Sequence, residues 1–322
     1  MGEEIRKIIN QPHDTFFKKT FGDKEISKEF IETYIDEEIT REMDLKKLEI
    51  IDGTYIDKKL EKAYSDILYK TKIKNTDTYI YILYEHKSYP DKKTTFQLLE
   101  YINKIMKKTL NPKTSKTNII IPILIYHGNQ KWDMSNKLID YIENRENYPE
   151  KINKYIPNYE YEIIELNDKT NQEIKGPILL KIILETLKAI KQKEKGKFID
   201  NIKKIFNMMD KYEKIDSQKA KEIFGFIIYY ILITRDDTDE YELKEIDIKR
   251  GDLIMTRGRQ LYEDGIKKGK LEGMKLGEYL KAKETVKKLL SKKLDKKTIS
   301  EVTELSIEQI NKIEEEMNQN KN

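Results

Sequence analysis

The chain has no cysteine, so disulfides and thiolate metal sites are excluded. Histidine occurs only as His13, His86 and His127, which excludes a histidine-rich metal centre. No glycine-rich phosphate loop of the Walker type is present, and no nucleotide cofactor is expected. No apolar run is long enough to span a bilayer and no apolar N-terminal segment suggests a signal peptide, so the expectation is a cytoplasmic protein with no membrane partner. An excess of one charge is also lacking. The 62 basic and 58 acidic residues leave a net charge of +4, which excludes a polycationic nucleic-acid coat. The preference for Lys, Ile, Asn and Glu over Arg, Ala and Gly is what an AT-rich genome encodes, so lysine content alone carries no function. The 322 residues suffice for one large domain or two ordinary ones.

What is there is concentrated between Ala63 and Lys87. Two runs rich in Ile, Leu and Tyr flank Lys74-Asn-Thr-Asp77, which reads as a β-hairpin. The second run, Tyr79 to Tyr84, is apolar without a break, as in a strand covered on both faces. It ends on Glu85, His86 and Lys87, and charges there are costly unless paired, exposed or bound to a metal. A turn near Thr76 puts Asp66 opposite Glu85 or His86. Alternation places Glu85 and Lys87 on one face and His86 on the other. One patch would then carry Asp66, Glu85 and Lys87. Two carboxylates that close favour a cation between them, and Mg²⁺ suits an oxygen donor set of this kind. A lysine beside it could hold a water or a phosphate, the arrangement needed for phosphodiester hydrolysis. A structural ion pair explains the same three residues equally well from their types alone.

Upstream, Phe16, Phe17 and Phe21, then Phe30, Ile31, Tyr34 and Ile35, have near-helical spacing on either side of Gly22-Asp23. Leu48 to Ile56 reads as a strand. Thr95 to Leu110 reads as a helix with Phe96, Leu99, Ile102 and Met106 on one side, ended by Pro112. Ile119 to Tyr126 is an apolar strand in which Pro122 disfavours a fully hydrogen-bonded interior position. Tyr161 to Leu166 offers a further strand. The fold class is thus α/β, a mixed sheet with a core order αβββαβ, followed by an α-helical half. The division predicted is residues 1–170 for the sheet domain, 171–250 for a helical subdomain and 251–322 for a charged helical tail. In that tail Gly265, Gly269, Gly273 and Gly277 recur every fourth residue, Asp295 could cap a helix, and Ser306-Ile-Glu-Gln309 is a capping box.

An aspartate in one strand followed by Glu-X-Lys at the end of the next resembles the PD-(D/E)XK nuclease superfamily. More specifically, the chain resembles the recombination-promoting nuclease/putative transposase family of bacteria. The segments that carry this are His13-Asp-Thr-Phe-Phe-Lys-Lys-Thr-Phe21, Ser65-Asp-Ile-Leu-Tyr69, Tyr84-Glu-His-Lys-Ser88, Phe96-Gln-Leu-Leu-Glu-Tyr101 and Ile121-Pro-Ile-Leu-Ile-Tyr-His-Gly128. Each is weak alone; five in order with compatible gaps, over roughly residues 10–235, are specific. The resemblance implies a restriction-endonuclease-like fold and a Mg²⁺-dependent DNA endonuclease (Mn²⁺ or Ca²⁺ as substitutes) linked to recombination and mobile DNA. It implies Asp66 and Glu85 as metal ligands, the His86 carbonyl as a third, and Lys87 as the residue that orients or activates water. Gln97 and Tyr101, four apart on one helix face, match a Gln-X-X-X-Tyr element that helps place metal or DNA. Two positions depart from the pattern. Ser65 replaces the proline before Asp66, and Glu-His-Lys replaces the family's usual Glu-His-Gln, which restores the superfamily form.

His13 and Asp14 could enter the site from the first helix, or serve as an N-cap with a neighbour. His127 ends a strand close by. The last three helices, with Lys292, Lys293, Lys296 and Lys297, read as a helix-turn-helix, as an oligomerisation arm or as a solvated charged helix. A homodimer fits cutting of both strands. A nuclease-like fold that binds DNA or a protein without cutting is the alternative reading of the whole chain.

Overall fold

The computed structural model describes residues 11–51, 65–85, 89–167 and 173–319, with backbone alone at Ser65, Glu85 and a few tail positions. Two compact units divide it at Gly258 and Arg259.

The first unit is built on a five-stranded mixed sheet in the order β1 (Glu49–Ile51), β2 (Ser65–Ile73), β3 (Thr76–Glu85), β4 (Ile119–Tyr126), β5 (Glu162–Glu165). The first three strands are antiparallel; β4 and β5 run parallel to β3. The hairpin turns at Lys74 and Asn75, whose φ angles are both positive (+46° and +70°), as a two-residue turn matched to strand twist requires. Ile73 therefore pairs with Thr76, and Asp66 pairs with Leu83 rather than with Glu85 or His86. The expected register is corrected by two residues from Glu85, or three from His86, because the turn centre lies between Lys74 and Asn75, not at Thr76. A shift of two preserves the face of every side chain.

Helices cover both faces, which explains the unbroken apolar run in β3. On one face Ile67, Tyr69, Ile80, Ile82, Tyr84, Ile123 and Ile125 meet α1 (Pro12–Phe21), α2 (Lys24–Tyr34) and the helical half. That half comprises α5 (Ile178–Ile190), α6 (Lys195–Glu213) and α7 (Ser217–Thr234), ahead of the short α8 (Glu240–Ile246). On the other face Leu68, Tyr79, Tyr81, Leu83 and Leu124 meet α4 (Thr94–Thr109) and Trp132. The short α3 (Glu37–Thr40) lies between α2 and β1 in the chain. Pro12 opens α1, and Asp23 caps α2 by accepting from the backbone N–H groups of Glu25 and Ile26. The α4 face expected from Phe96, Leu99, Ile102 and Met106 is rotated. Leu98, Tyr101, Ile102 and Ile105 point inward, while Phe96 is 51% exposed and Met106 is exposed. Pro122 sits one residue before the β4–β5 ladder starts, where the second edge of β4 is unpaired. The strand expected over Leu48 to Ile56 is seen as β1, and its remainder lies outside the described residues.

In the second unit α9 (Gly251–Ser291, which begins before the division), α10 (Lys296–Thr303) and α11 (Ile307–Gln319) enclose a small core of Val286, Ile299, Ile310 and Ile313. Asp295 caps α10, and Ser306 and Gln309 form the reciprocal capping box. A helix-turn-helix would present α11 to DNA. That helix carries Glu308, Glu314, Glu315 and Glu316 beside Lys312, and Lys296 is held by Glu314 at 2.6 Å.

Gly176 precedes Pro177 and α5 with φ of +106°, and a Cβ there would stand 2.8 Å from Leu180 and 2.9 Å from Thr33. Gly176→Ala is expected to destabilise the fold by about 1–3 kcal/mol. Gly196→Ala, in α6 with nothing within 4 Å of the new methyl, is expected to stabilise it by about 0.5–1 kcal/mol. Thermal melts of the two variants beside the parent check the pair.

Candidate active site

The parallel strands β3 and β4 end at the same edge of the sheet, where Glu85 pairs with Tyr126. Because β2 runs the other way, its beginning lies at that edge too, and Asp66 is its second residue. Ligands of open α/β sheets bind outside the carboxyl ends of the strands. Charge is tolerable at the strand ends, there and at Asp77 beside the turn, which pairs with Lys70 at 3.0 Å, but not in the middle of β3, which is sealed on both faces.

Asp66 is 8% exposed and lies on the α4 face of the sheet with Leu68. The Tyr81 hydroxyl, on the next strand, donates to Asp66 Oδ2 at 2.9 Å. Tyr81 packs against Tyr101 of α4 with ring centroids 5.0 Å apart. Gln97 lies one turn earlier on α4, half-buried, and its Nε2 has no hydrogen-bond partner among the described residues. Burial pushes the Asp66 carboxyl up to about 6. The Tyr81 hydrogen bond and the Lys18 ammonium oppose that shift, and the Asp14 carboxylate adds to it. The first helix thus reaches the site: Asp14 and Lys18 are one turn apart on α1, joined at 3.4 Å. Asp14 Oδ1 is buried with no hydrogen-bond partner among the described residues.

The residues expected at the site divide accordingly. Asp66 and Tyr101 converge through Tyr81, with Gln97 beside Tyr101. Glu85 is at the end of β3, two positions beyond the partner of Asp66; its side chain lies outside the described residues. His86 and Lys87 also lie outside them. His127 is fully buried on the opposite face, hydrogen-bonded to the Tyr84 hydroxyl and the Leu187 carbonyl. Glu165, which ends β5 at the same edge, accepts from the Trp132 backbone N–H at 2.8 Å and from Asn167 at 2.7 Å, so it serves the fold. Sequence reasoning missed Tyr81 and Lys18. Alternation from Glu85 back through Leu83 was the signal for Tyr81, hidden in an apolar run. Lys18 had none beyond its spacing from Asp14.

The donor set suits a hard divalent cation. A desolvated carboxylate and a buried, unpaired carboxylate oxygen both gain from a positive charge, and oxygen ligands are what Mg²⁺ takes. Among the described residues no group of three or more His, Cys, Asp or Glu stands at metal-binding distances. A complete cage would need Glu85.

The family model described as "Putative transposase, YhgA-like" matches residues 11–219, and the chain belongs to that family. It is 31% identical over 117 residues to recombination-promoting nuclease RpnC of Escherichia coli K12, covering 36% of this chain and 39% of the relative. It is 31% identical over 120 residues to recombination-promoting nuclease RpnD of Escherichia coli O157:H7, covering 37% and 46%. It is also 29% identical over 119 residues to the inactive recombination-promoting nuclease-like protein RpnE of Escherichia coli K12, covering 37% and 40%. The chain thus spans less than half the length of these curated relatives. No solved structure matches it. Among the described residues, no helix is long and apolar enough to cross a membrane.

The Asp66 shift has a stability consequence. Its carboxyl titrates higher in the folded protein (about 6) than at its ordinary 3.8, so between these values the folded state binds more protons. Stability is therefore expected to fall as pH rises from 4 to 6, by at most about 3 kcal/mol from this group. Asp66→Asn is expected to flatten that part of the pH profile and to raise the melting temperature at pH 7 without divalent cations. Melts across pH 4–7 read both.

Proposed function

We propose that the chain is a metal-dependent DNA endonuclease of the PD-(D/E)XK type that hydrolyses phosphodiester bonds in recombination or mobile-DNA processes. The observation that carries this is Asp66: a buried carboxylate at the open edge of the sheet, oriented by Tyr81 and poorly tolerated as a charge without a cation. Relatives named recombination-promoting nucleases support the same reading.

In this reading Asp66 and Glu85 hold Mg²⁺, with the His86 carbonyl as a third oxygen. When bound, the cation would polarise a phosphate oxygen and lower the pKa of water. Tyr81 fixes the Asp66 rotamer by its hydrogen bond, as outer partners of metal ligands do. Lys87 holds the attacking water or the phosphate. Tyr101 supports Tyr81 from behind, and Gln97 offers an unspent amide N–H to substrate. Two copies would place two sites on a duplex, and the setting would be the cytoplasm.

A second reading follows from the relative named inactive: the fold binds DNA or a protein and does not cut. A plasmid-nicking assay with Mg²⁺, Mn²⁺, Ca²⁺ and EDTA separates the two. Metal-dependent nicking is expected, reduced on the order of 10²-fold or more in Asp66→Asn and Lys87→Ala. Folded parent protein that shifts DNA on a gel but nicks none under any metal would leave the binding module.

A further inference from the structure

Towards the end of the sheet remote from Asp66 lies a pocket that the proposed chemistry does not use. It has a volume of about 330 Å³ and sits where the single turn Leu45–Lys47 leads into β1, beside the last residues of β2. Four of its eight lining residues are lysines: Lys24 at the start of α2, Lys47, and Lys70 and Lys72 of β2. The lysine-rich composition does not explain that density, since the whole chain has 62 basic residues in 322. The acidic lining is Glu49 and Asp77.

The charges there do not cancel. Asp77 is shared, with Lys70 at 3.0 Å and Lys72 at 3.9 Å. Lys47 is held by Asp44 at 2.9 Å. The Lys24 ammonium donates to the Lys46 carbonyl at 2.9 Å and meets no carboxylate among the described residues. The acids on either side of it in sequence, Asp23 and Glu25, are both engaged by Lys219. A carbonyl leaves an ammonium its full charge, and a carboxylate neutralises one ammonium, not two. Lys24 and Lys72 are therefore the cations with least compensation.

Their position relates them to the site. Alternation along β2 puts Lys70 and Lys72 on the same face of the sheet as Asp66. At about 3.3 Å per residue they stand about 13–20 Å along the strand from it. Among the described residues β1 is the edge strand, so no further strand flanks this side. Phosphates on one strand of a duplex recur about every 3.4 Å of its axis, so that span is about four to six base pairs. Glu49 and Asp77 in the lining oppose a small anion enclosed among them, whereas a backbone passing the rim meets the lysine ends. Flexible lysines supply the point charges that such a backbone needs.

We propose that this pocket is a second DNA contact, in which Lys24 and Lys72 hold backbone phosphates about four to six base pairs from the bond cut at Asp66. This rests on the reading of Asp66 as the cutting site.

The test is fluorescence anisotropy of a labelled duplex of about 24 base pairs titrated with the full chain in EDTA, at several salt concentrations and below the melting temperature of every variant. The double variant Lys24→Gln/Lys72→Gln is expected to bind on the order of 10-fold more weakly and to lower the salt slope by about 2, one for each lost contact. Lys203→Gln/Lys204→Gln removes the same charge from exposed positions on α6 and is expected to cost less than about 2-fold. Glu49→Gln, which takes a negative charge out of the lining, is expected to tighten binding about 2–3-fold. With Mg²⁺, the pocket variant should raise KM for plasmid and leave kcat within about 2-fold, since uniform binding alone is lost. Equal losses in the two double variants, or a plasmid KM indifferent to Lys24 and Lys72, overturn the inference and leave the nuclease reading standing. Inorganic phosphate that stabilises the parent but not the pocket variant, with no difference in DNA affinity, would make this a small-anion site and overturns the inference as well. A parent protein that neither binds the duplex nor nicks plasmid overturns both.

Discussion

Two residues in a tight turn set the address of everything at the site. Lys74 and Asn75 adopt positive φ, and the register they impose on β2 and β3 is what puts Asp66 beside Tyr81 and one step inside the sheet edge. A one-residue slip would throw Asp66 onto the opposite face, among Ile82, Tyr84 and the helices of the second half. The sealed middle of the sheet enforces the same choice from the other side. Every position of β3 from Tyr79 to Tyr84 is buried, so charged side chains are confined to the two ends of the strand.

Much of the fold was legible before any coordinates. The hairpin, the order αβββαβ, the break at Gly22-Asp23 and the capping box at Ser306 rest on local rules that the tertiary structure has no reason to override. The errors are equally physical. A turn near Thr76 puts the hairpin register two or three residues out, because the turn is centred between Lys74 and Asn75. The α4 face was rotated because Phe96 was assumed to seek the core. Phe96 instead lies on the outer side of the first turn of α4, edge-on to Tyr141 with ring centroids 5.8 Å apart.

The site was legible in part and for a different reason. Asp66 is identifiable because a lone acid opens an apolar strand. Tyr81 is not, because a tyrosine among Ile and Leu reads as core, which it also is. His13 of α1 is hydrogen-bonded to Tyr230 of α7, 217 positions on. No periodicity links residues so far apart; only the packing of α1 between sheet and α7 does. The residues of the pattern at and after the end of β3 stay a matter of resemblance, whereas the partners of Asp66 are a matter of geometry.

The covering of the β2–β4 face by α5, α6 and α7 bears on how such a gene can change. Ile80, Ile82, Ile123 and Ile125 are sealed by side chains encoded a hundred or so codons downstream, among them Leu180, Ile183 and Ile227. The strands that bear the acidic residues and the helices that roof them are therefore inherited together. A crossover near Gly176 would separate a sheet from its lid and strand both, while one after Gly258, past the buried Ile254, would leave that core whole. The tail is the portable part, and the residues up to Gly258 are one indivisible block.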